Sequence, residues 1–163
     1  MPSEIIAGSE TTSTVQLPRE ESWGYQVNHL ARLLEGALRD RIARHGVLPG
    51  AFAQLLALFE RDGLSQSELS SAVHIDPSTM ALTVRRMERD GLVTRSPSLR
   101  DRRQTEIRLT RHARELQSTL IGRAIEVNDL AKKGVDDADL AVVRRVLAQM
   151  IANLLNDVER APS

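Results

Sequence analysis

Apolar residues recur along most of this chain at helical rather than strand spacing. Val27, Leu30, Ala31, Leu34, Leu38 and Ile42 form one stripe, which predicts a helix from about Arg19 to His45 ended by Gly46. Pro49 opens a second helix, with Phe52, Leu55, Leu56 and Phe59 on its buried side and Asp62-Gly63 at its close. Thr110 caps a long helix that runs to about Lys133. There Lys132 and Lys133 complement the helix dipole, and Gly134 ends it. Asp136 caps a last helix from Asp137 to about Glu159. Its apolar face includes Leu140, Val143, Val146, Leu147, Met150, Ile151, Leu154, Leu155 and Val158. One short chain cannot cover so broad a face. Together with the first stripe it predicts an isologous dimer in which the first and last helices of each subunit interleave.

The stretch between these helices is patterned differently. Leu64, Ser65, Glu68 and Leu69 stand at N′, N-cap, N3 and N4, the spacing of a capping box with a hydrophobic staple. The helix they start carries Leu69, Ala72 and Val73 and ends near His74-Ile75. Asp76 is then an N-cap, and Pro77 suits the first helical position because its missing N–H would be unpaired there. Two helices joined so tightly cross at a large angle, as in a helix-turn-helix. The second helix runs from Pro77 to about Asp90, with Gly91 just past its end. Met80, Val84 and Met87 form its core face, leaving Ser78, Thr79, Leu82, Arg85, Arg86 and Arg89 on the other side. Hydroxyls at the start of a helix and arginines further along suit entry into a major groove, where they reach base edges and phosphates. Ser65 and Gln66, at the start of the preceding helix, are candidates for the same DNA. Leu82 cannot hydrogen-bond a base, but it can touch a thymine methyl.

After Gly91, Leu92 to Arg95 reads as a strand. Ser96 to Arg103 reads as a hairpin tip, and Gln104 to Leu109 alternates as a half-buried strand does. Arg100, Arg102 and Arg103 at such a tip suit an adjacent minor groove. Asp101 orients a neighbouring arginine through a charge-assisted hydrogen bond. The fold class predicted is therefore mainly α with a small β wing: a winged helix-turn-helix flanked by long N- and C-terminal dimerisation helices.

Charge sharpens this picture. The 163 residues carry 22 basic and 22 acidic side chains, so the formal net charge is zero. From Arg85 to Arg114, however, ten arginines stand against four acids, a net +6. A basic patch on a neutral chain is the footprint of a local polyanion site. The absence of cysteine excludes disulfides and thiol chemistry. His29, His45, His74 and His112 lie far apart without metal-ligand spacing, and no catalytic or nucleotide fingerprint occurs. Neither an enzyme, a metal nor a cofactor is expected. No long apolar run or signal peptide is seen, so no membrane partner and a cytoplasmic location are expected. Residues 1–18, rich in Ser, Thr and Glu, are expected to form a flexible arm.

The runs GLSQSEL, PSTMALTVRRMERDGLV and DRRQTEIRLT together resemble the winged-helix regulators of the MarR family. The likeness reaches from about Ser22 to Leu116 at motif level, and only in helical pattern beyond. It implies one domain over residues 19–163. Residues 48–110 would be the winged helix-turn-helix, and residues 19–46 and 111–160 the dimerisation helices. It implies a dimeric, double-stranded DNA-binding transcription regulator on a pseudo-palindromic operator, acting as a repressor. NHLARLL and MERDG resemble the branch that answers small aromatic or oxidised metabolites. This implies a small organic anion as effector, held by Trp23, His29, Arg32 and Phe52: two aromatic walls and donors for a carboxylate. Two other readings compete, a winged-helix protein-interaction module without DNA binding and an enzyme. The arginines at positions 85, 86 and 103 favour the first reading over the module. The missing catalytic constellation disfavours the enzyme.

Overall fold

The computed structural model describes residues 17–98 and 104–160. Its contacts divide the chain into two units, residues 1–33 and 34–163. The division falls inside the first helix.

In the first unit, Pro18 to Glu21 make a turn closed by the Glu21 N–H on the Pro18 carbonyl at 3.0 Å. The Ser22 hydroxyl then accepts from the Tyr25 N–H at 3.3 Å. Helix α1 accordingly spans Trp23–Ile42 and starts later than the expected Arg19. A serine whose oxygen takes up an unpaired N–H of the first turn sets a helix start more sharply than an apolar stripe does. Tyr25 lies under the Arg19 guanidinium at 5.8 Å and 6.0 Å from the His29 ring.

The second unit holds the rest of α1 and every other element. A short 3-10 turn over Ala43–His45 ends at Gly46, whose φ is 72°. Helix α2 covers Pro49–Glu60, α3 Gln66–Val73, α4 Pro77–Arg89, α5 Arg111–Lys132 and α6 Asp137–Arg160. The capping box is present at both ends: Ser65 Oγ accepts from the Glu68 N–H, and Glu68 accepts from the Ser65 N–H at 2.8 Å. Asp76 accepts from the Thr79 N–H at 2.9 Å, with Pro77 at the start of α4. His74 sits between α3 and α4 at φ 53°, the left-handed conformation that lets the chain turn at once into the next helix.

The wing has three strands, one more than expected. Strands β2 (Val93–Pro97) and β3 (Thr105–Leu109) pair antiparallel from Val93 opposite Leu109 to Pro97 opposite Thr105. Strand β1, only Leu64–Ser65, pairs on the other side of β3, so the order is β1-β3-β2. Two residues are too few to show any period. Those same residues also start α3, and the helix-start pattern masked the strand.

The core is continuous through Ile42, Leu55, Leu58, Leu69, Met80, Val84, Met87, Leu92, Ile107 and Leu120, among others. The three predicted core positions of α4 are all fully buried. On α2 the buried side is Ala51, Phe52, Gln54, Leu55 and Leu58, whereas Leu56 and Phe59 are half-buried. On α3 Leu69 and Ser70 are buried and Ala72 is exposed. Thr110 ties the winged unit to α5. Its hydroxyl donates to the Gly91 carbonyl at 2.7 Å and accepts from the Ala113 N–H at 3.1 Å.

Candidate nucleic-acid interface

Helix α4 divides cleanly. Ser78, Leu82, Arg85 and Arg89 follow the helical spacing i, i+4, i+7, i+11, directly opposite the buried Met80, Val84 and Met87. Thr79 and Arg86 flank that outer line, and all six are exposed. Leu82 lies at its centre, 64% exposed.

The polar members differ in how free they are. The Ser78 hydroxyl donates to the Asp76 carboxylate, so its proton is committed to the cap while its lone pairs still face outward. That bond, and then those from Thr79, hold the Asp76 carboxyl far below the usual carboxylate range. Arg89 is tied to Asp90 at 3.1 Å. Arg85 and Arg86 make no ion pair among the described residues. These two are the cations on α4 left for an external anion.

Beside α4, the start of α3 and the wing enclose a concavity of about 600 Å³ lined by Ser65, Gln66, Ser67, Arg95, Gln104, Thr105 and Ile107. It brings Ser65 and Gln66 together with Arg95, which pairs with Glu88 at 3.2 Å. The Ser65 hydroxyl is already used in the capping box, where the Ser65 N–H, then its side chain, lower the Glu68 pKa. Arg95, Ser67 and Gln104 were not singled out as site residues from the sequence. Nothing in the strand pattern says that Arg95 meets the start of α3, because that meeting depends on β1. The expected tip residues Arg100, Asp101, Arg102 and Arg103 lie outside the described residues.

The effector candidates fall in two different units. Trp23, His29 and Arg32 are exposed on α1 within the first unit. Phe52 belongs to the second unit, is 7% exposed and packs in its core. It sits on the same side of α2 as Leu55, and core packing leaves it almost no surface to offer a ligand. Among the described residues no cluster of side chains suits a metal ion. No single described helix is long and apolar enough to cross a membrane.

Comparison with known proteins agrees with this geometry. The MarR family profile matches residues 49–105, from the start of α2 into β3. The regulator TtmR of Methylorubrum extorquens (strain PA1) is 28% identical over 122 residues, 75% of this chain and 60% of its own length. The chain thus spans somewhat over half of that relative. A MarR transcriptional regulator from Methanosarcina mazei Go1 superposes with a TM-score of 0.73 at 26% identity, covering 82% of this chain and 96% of that one. BpsR of Bordetella bronchiseptica, whose DNA binding is regulated by 6-hydroxynicotinic acid, shares the fold with a TM-score of 0.74 at 20% identity, over 83% and 97% of the two chains. The family and these relatives are transcription regulators rather than enzymes. With a capped helix-turn-helix, an arginine-bearing outer face on α4 and a three-stranded wing in one unit, the chain is similar to the winged-helix transcriptional regulators of the MarR family, whose profile its residues 49–105 match.

Proposed function

We propose that this chain is a cytoplasmic, homodimeric repressor that binds a pseudo-palindromic DNA duplex and is released by a small aromatic or anionic ligand. The observation that carries the DNA reading is the outer face of α4. Arg85 and Arg86 are exposed and have no ion-pair partner among the described residues, and Ser78, Thr79 and Leu82 stand beside them. In this reading α4 enters the major groove. Ser65, Gln66 and Arg89 contact the backbone, and the wing residues Arg100, Arg102 and Arg103, with Asp101 orienting them, serve the adjacent minor groove.

A dimer is supported by α6, which leaves Val143, Leu147, Ile151, Leu154, Leu155 and Val158 exposed. A contiguous apolar face of this kind marks an interaction surface. The two α4 helices of the dimer would then enter major grooves about 34 Å apart. The effector reading is supported by the regulation named for BpsR. Within this chain, His29 and Arg32 lie three residues apart on one exposed face of α1, the helix that Trp23 begins. They would bind the ligand's acid group.

The test is a titration of duplex DNA taken from upstream of the chain's own gene, repeated over a series of salt concentrations. A protein that neutralises several phosphates loses affinity steeply as salt rises. A flat salt response, or no binding above that to random duplex, overturns the reading and favours a protein-interaction module.

A further inference from the structure

The wing is seated on the helix-turn-helix by a buried polar cluster. On β3, the side chains of Ile107 and Leu109 go into the core, so alternation should send Glu106 to solvent. It does not: Glu106 is only 9% exposed. One carboxylate oxygen accepts from the Ser98 hydroxyl at 2.5 Å, and the other accepts from the Arg108 guanidinium. Ser98 is itself 5% exposed, and its N–H donates to the Gln104 carbonyl at 2.8 Å. Ser98 is therefore both the closing residue of the hairpin and a direct partner of Glu106.

The loop before α3 closes over this pair. Gly63 has φ +76°, and a Cβ there would lie 3.2 Å from both the Arg108 guanidinium and Glu106 Oε2. Its neighbour Asp62 accepts from the Leu109 N–H at 2.8 Å and from Arg114 at 2.6 Å. Arg61 donates to Glu68, the capping-box carboxylate of α3, at 2.8 Å. A nearly buried carboxylate is costly unless it is fully paired, so this cluster is unlike a surface ion pair.

We propose that Ser98, Glu106 and Arg108, packed on Gly63, form a latch that fixes the wing hairpin against the start of α3, and that Glu106 is a positioning residue for DNA recognition. The proposal rests on the DNA-binding reading above. The two chain ends of the tip segment, Ser98 and Gln104, are joined to each other, and Glu106 joins them to the loop that starts the helix-turn-helix. A wing seated in this way presents β2 and β3 to DNA in one pose. Without the seat the wing must be ordered on binding, which weakens the complex without removing any group that touches DNA.

The test compares full-length wild type, Glu106→Gln, Ser98→Ala, Ser98→Thr and Arg103→Ala. The probe is a duplex fragment from upstream of the chain's own gene, at several salt concentrations and at a temperature where all are folded by circular dichroism. Loss of a hydrogen bond to a charged group predicts that Glu106→Gln and Ser98→Ala weaken binding about tenfold. Because no group that touches DNA is removed, their salt slope stays that of wild type, whereas Arg103→Ala lowers it by about one phosphate contact. Ser98→Thr, which keeps the hydroxyl, restores wild-type binding. In an Arg103→Ala background, Glu106→Gln adds little further loss, because both act through the wing. A Glu106→Gln protein that binds as tightly as wild type, or one whose loss adds in full to that of Arg103→Ala, overturns the latch. Wild type that binds no duplex overturns the DNA reading itself, a result distinct from either.

Discussion

At the scale of single residues, the caps carry much of the local specification. Thr110 serves two elements at once, capping α5 and holding the Gly91 carbonyl after α4. Thr110→Ala loses both bonds and is expected to lower stability by about 1–2 kcal/mol, read by thermal or urea denaturation. Asp76 and Glu68 make a pH prediction. Both carboxyls titrate below their ordinary values of 3.8 and 4.5 in the folded chain, Asp76 through Ser78 and Thr79, Glu68 through Ser65. A depressed folded pKa means the unfolded chain binds the proton first on acidification. Their contribution is therefore complete above those ordinary values and is lost as pH falls through the lowered ones. Asp76→Asn should flatten this acid limb while leaving the behaviour near neutrality on a plateau. Denaturation midpoints measured from pH 7 down to pH 2 check it, and an unchanged acid limb contradicts it.

At the scale of elements, α4 sorts affinity from specificity. Arg85 and Arg86 are exposed and without ion-pair partners among the described residues, so Arg85→Ala and Arg86→Ala should each weaken binding to all duplexes. Each should reduce the salt slope by about one contact. Leu82 carries no charge and sits at the centre of the outer face. Leu82→Ala should leave the salt slope unchanged and relax discrimination at a thymine by roughly 1–3 kcal/mol. Competition binding against single-base variants of the site separates the two. Equal slopes for wild type and Arg85→Ala would contradict the assignment of α4 as the groove helix.

At the scale of the whole molecule, α6 exposes a long apolar face, with Leu154 68% and Leu147 37% exposed. Leu147→Glu or Leu154→Glu places a charge in the proposed dimer seam and should yield a monomer in sedimentation, with specific DNA binding lost alongside. A wild-type chain that sediments as a stable monomer at micromolar concentration contradicts the dimer. Effector control is a coupling between sites and must be reciprocal. Calorimetric titration of aromatic acids with and without duplex DNA should show weaker ligand binding when DNA is present, and His29→Ala or Arg32→Ala should weaken it in both states. Equal ligand affinity with and without DNA excludes control by that ligand.

Much of the fold and of the interface was legible in the sequence, because those parts depend on neighbours in the chain. The capping box at Ser65 and Glu68, the Asp76-Pro77 start, the Met80, Val84 and Met87 core face and the exposed line through Leu82 all follow from spacing within one or two turns. What tertiary structure decided depends on residues far apart. Strand β1 exists because Leu64 finds Ile107 across β3, and a two-residue strand has no pattern of its own. Gln54 is fully buried on α2 because of what packs over it, although its side chain is polar. Phe52 is packed in the core for the same reason. The pairing of the arginines was also settled in three dimensions, since Arg95 meets Glu88 across an element boundary while Arg85 and Arg86 meet no acid among the described residues. Glu106 is the clearest case: strand alternation sends it to solvent, and burial came from Ser98 and the loop at Gly63, which lies more than forty residues away in the chain.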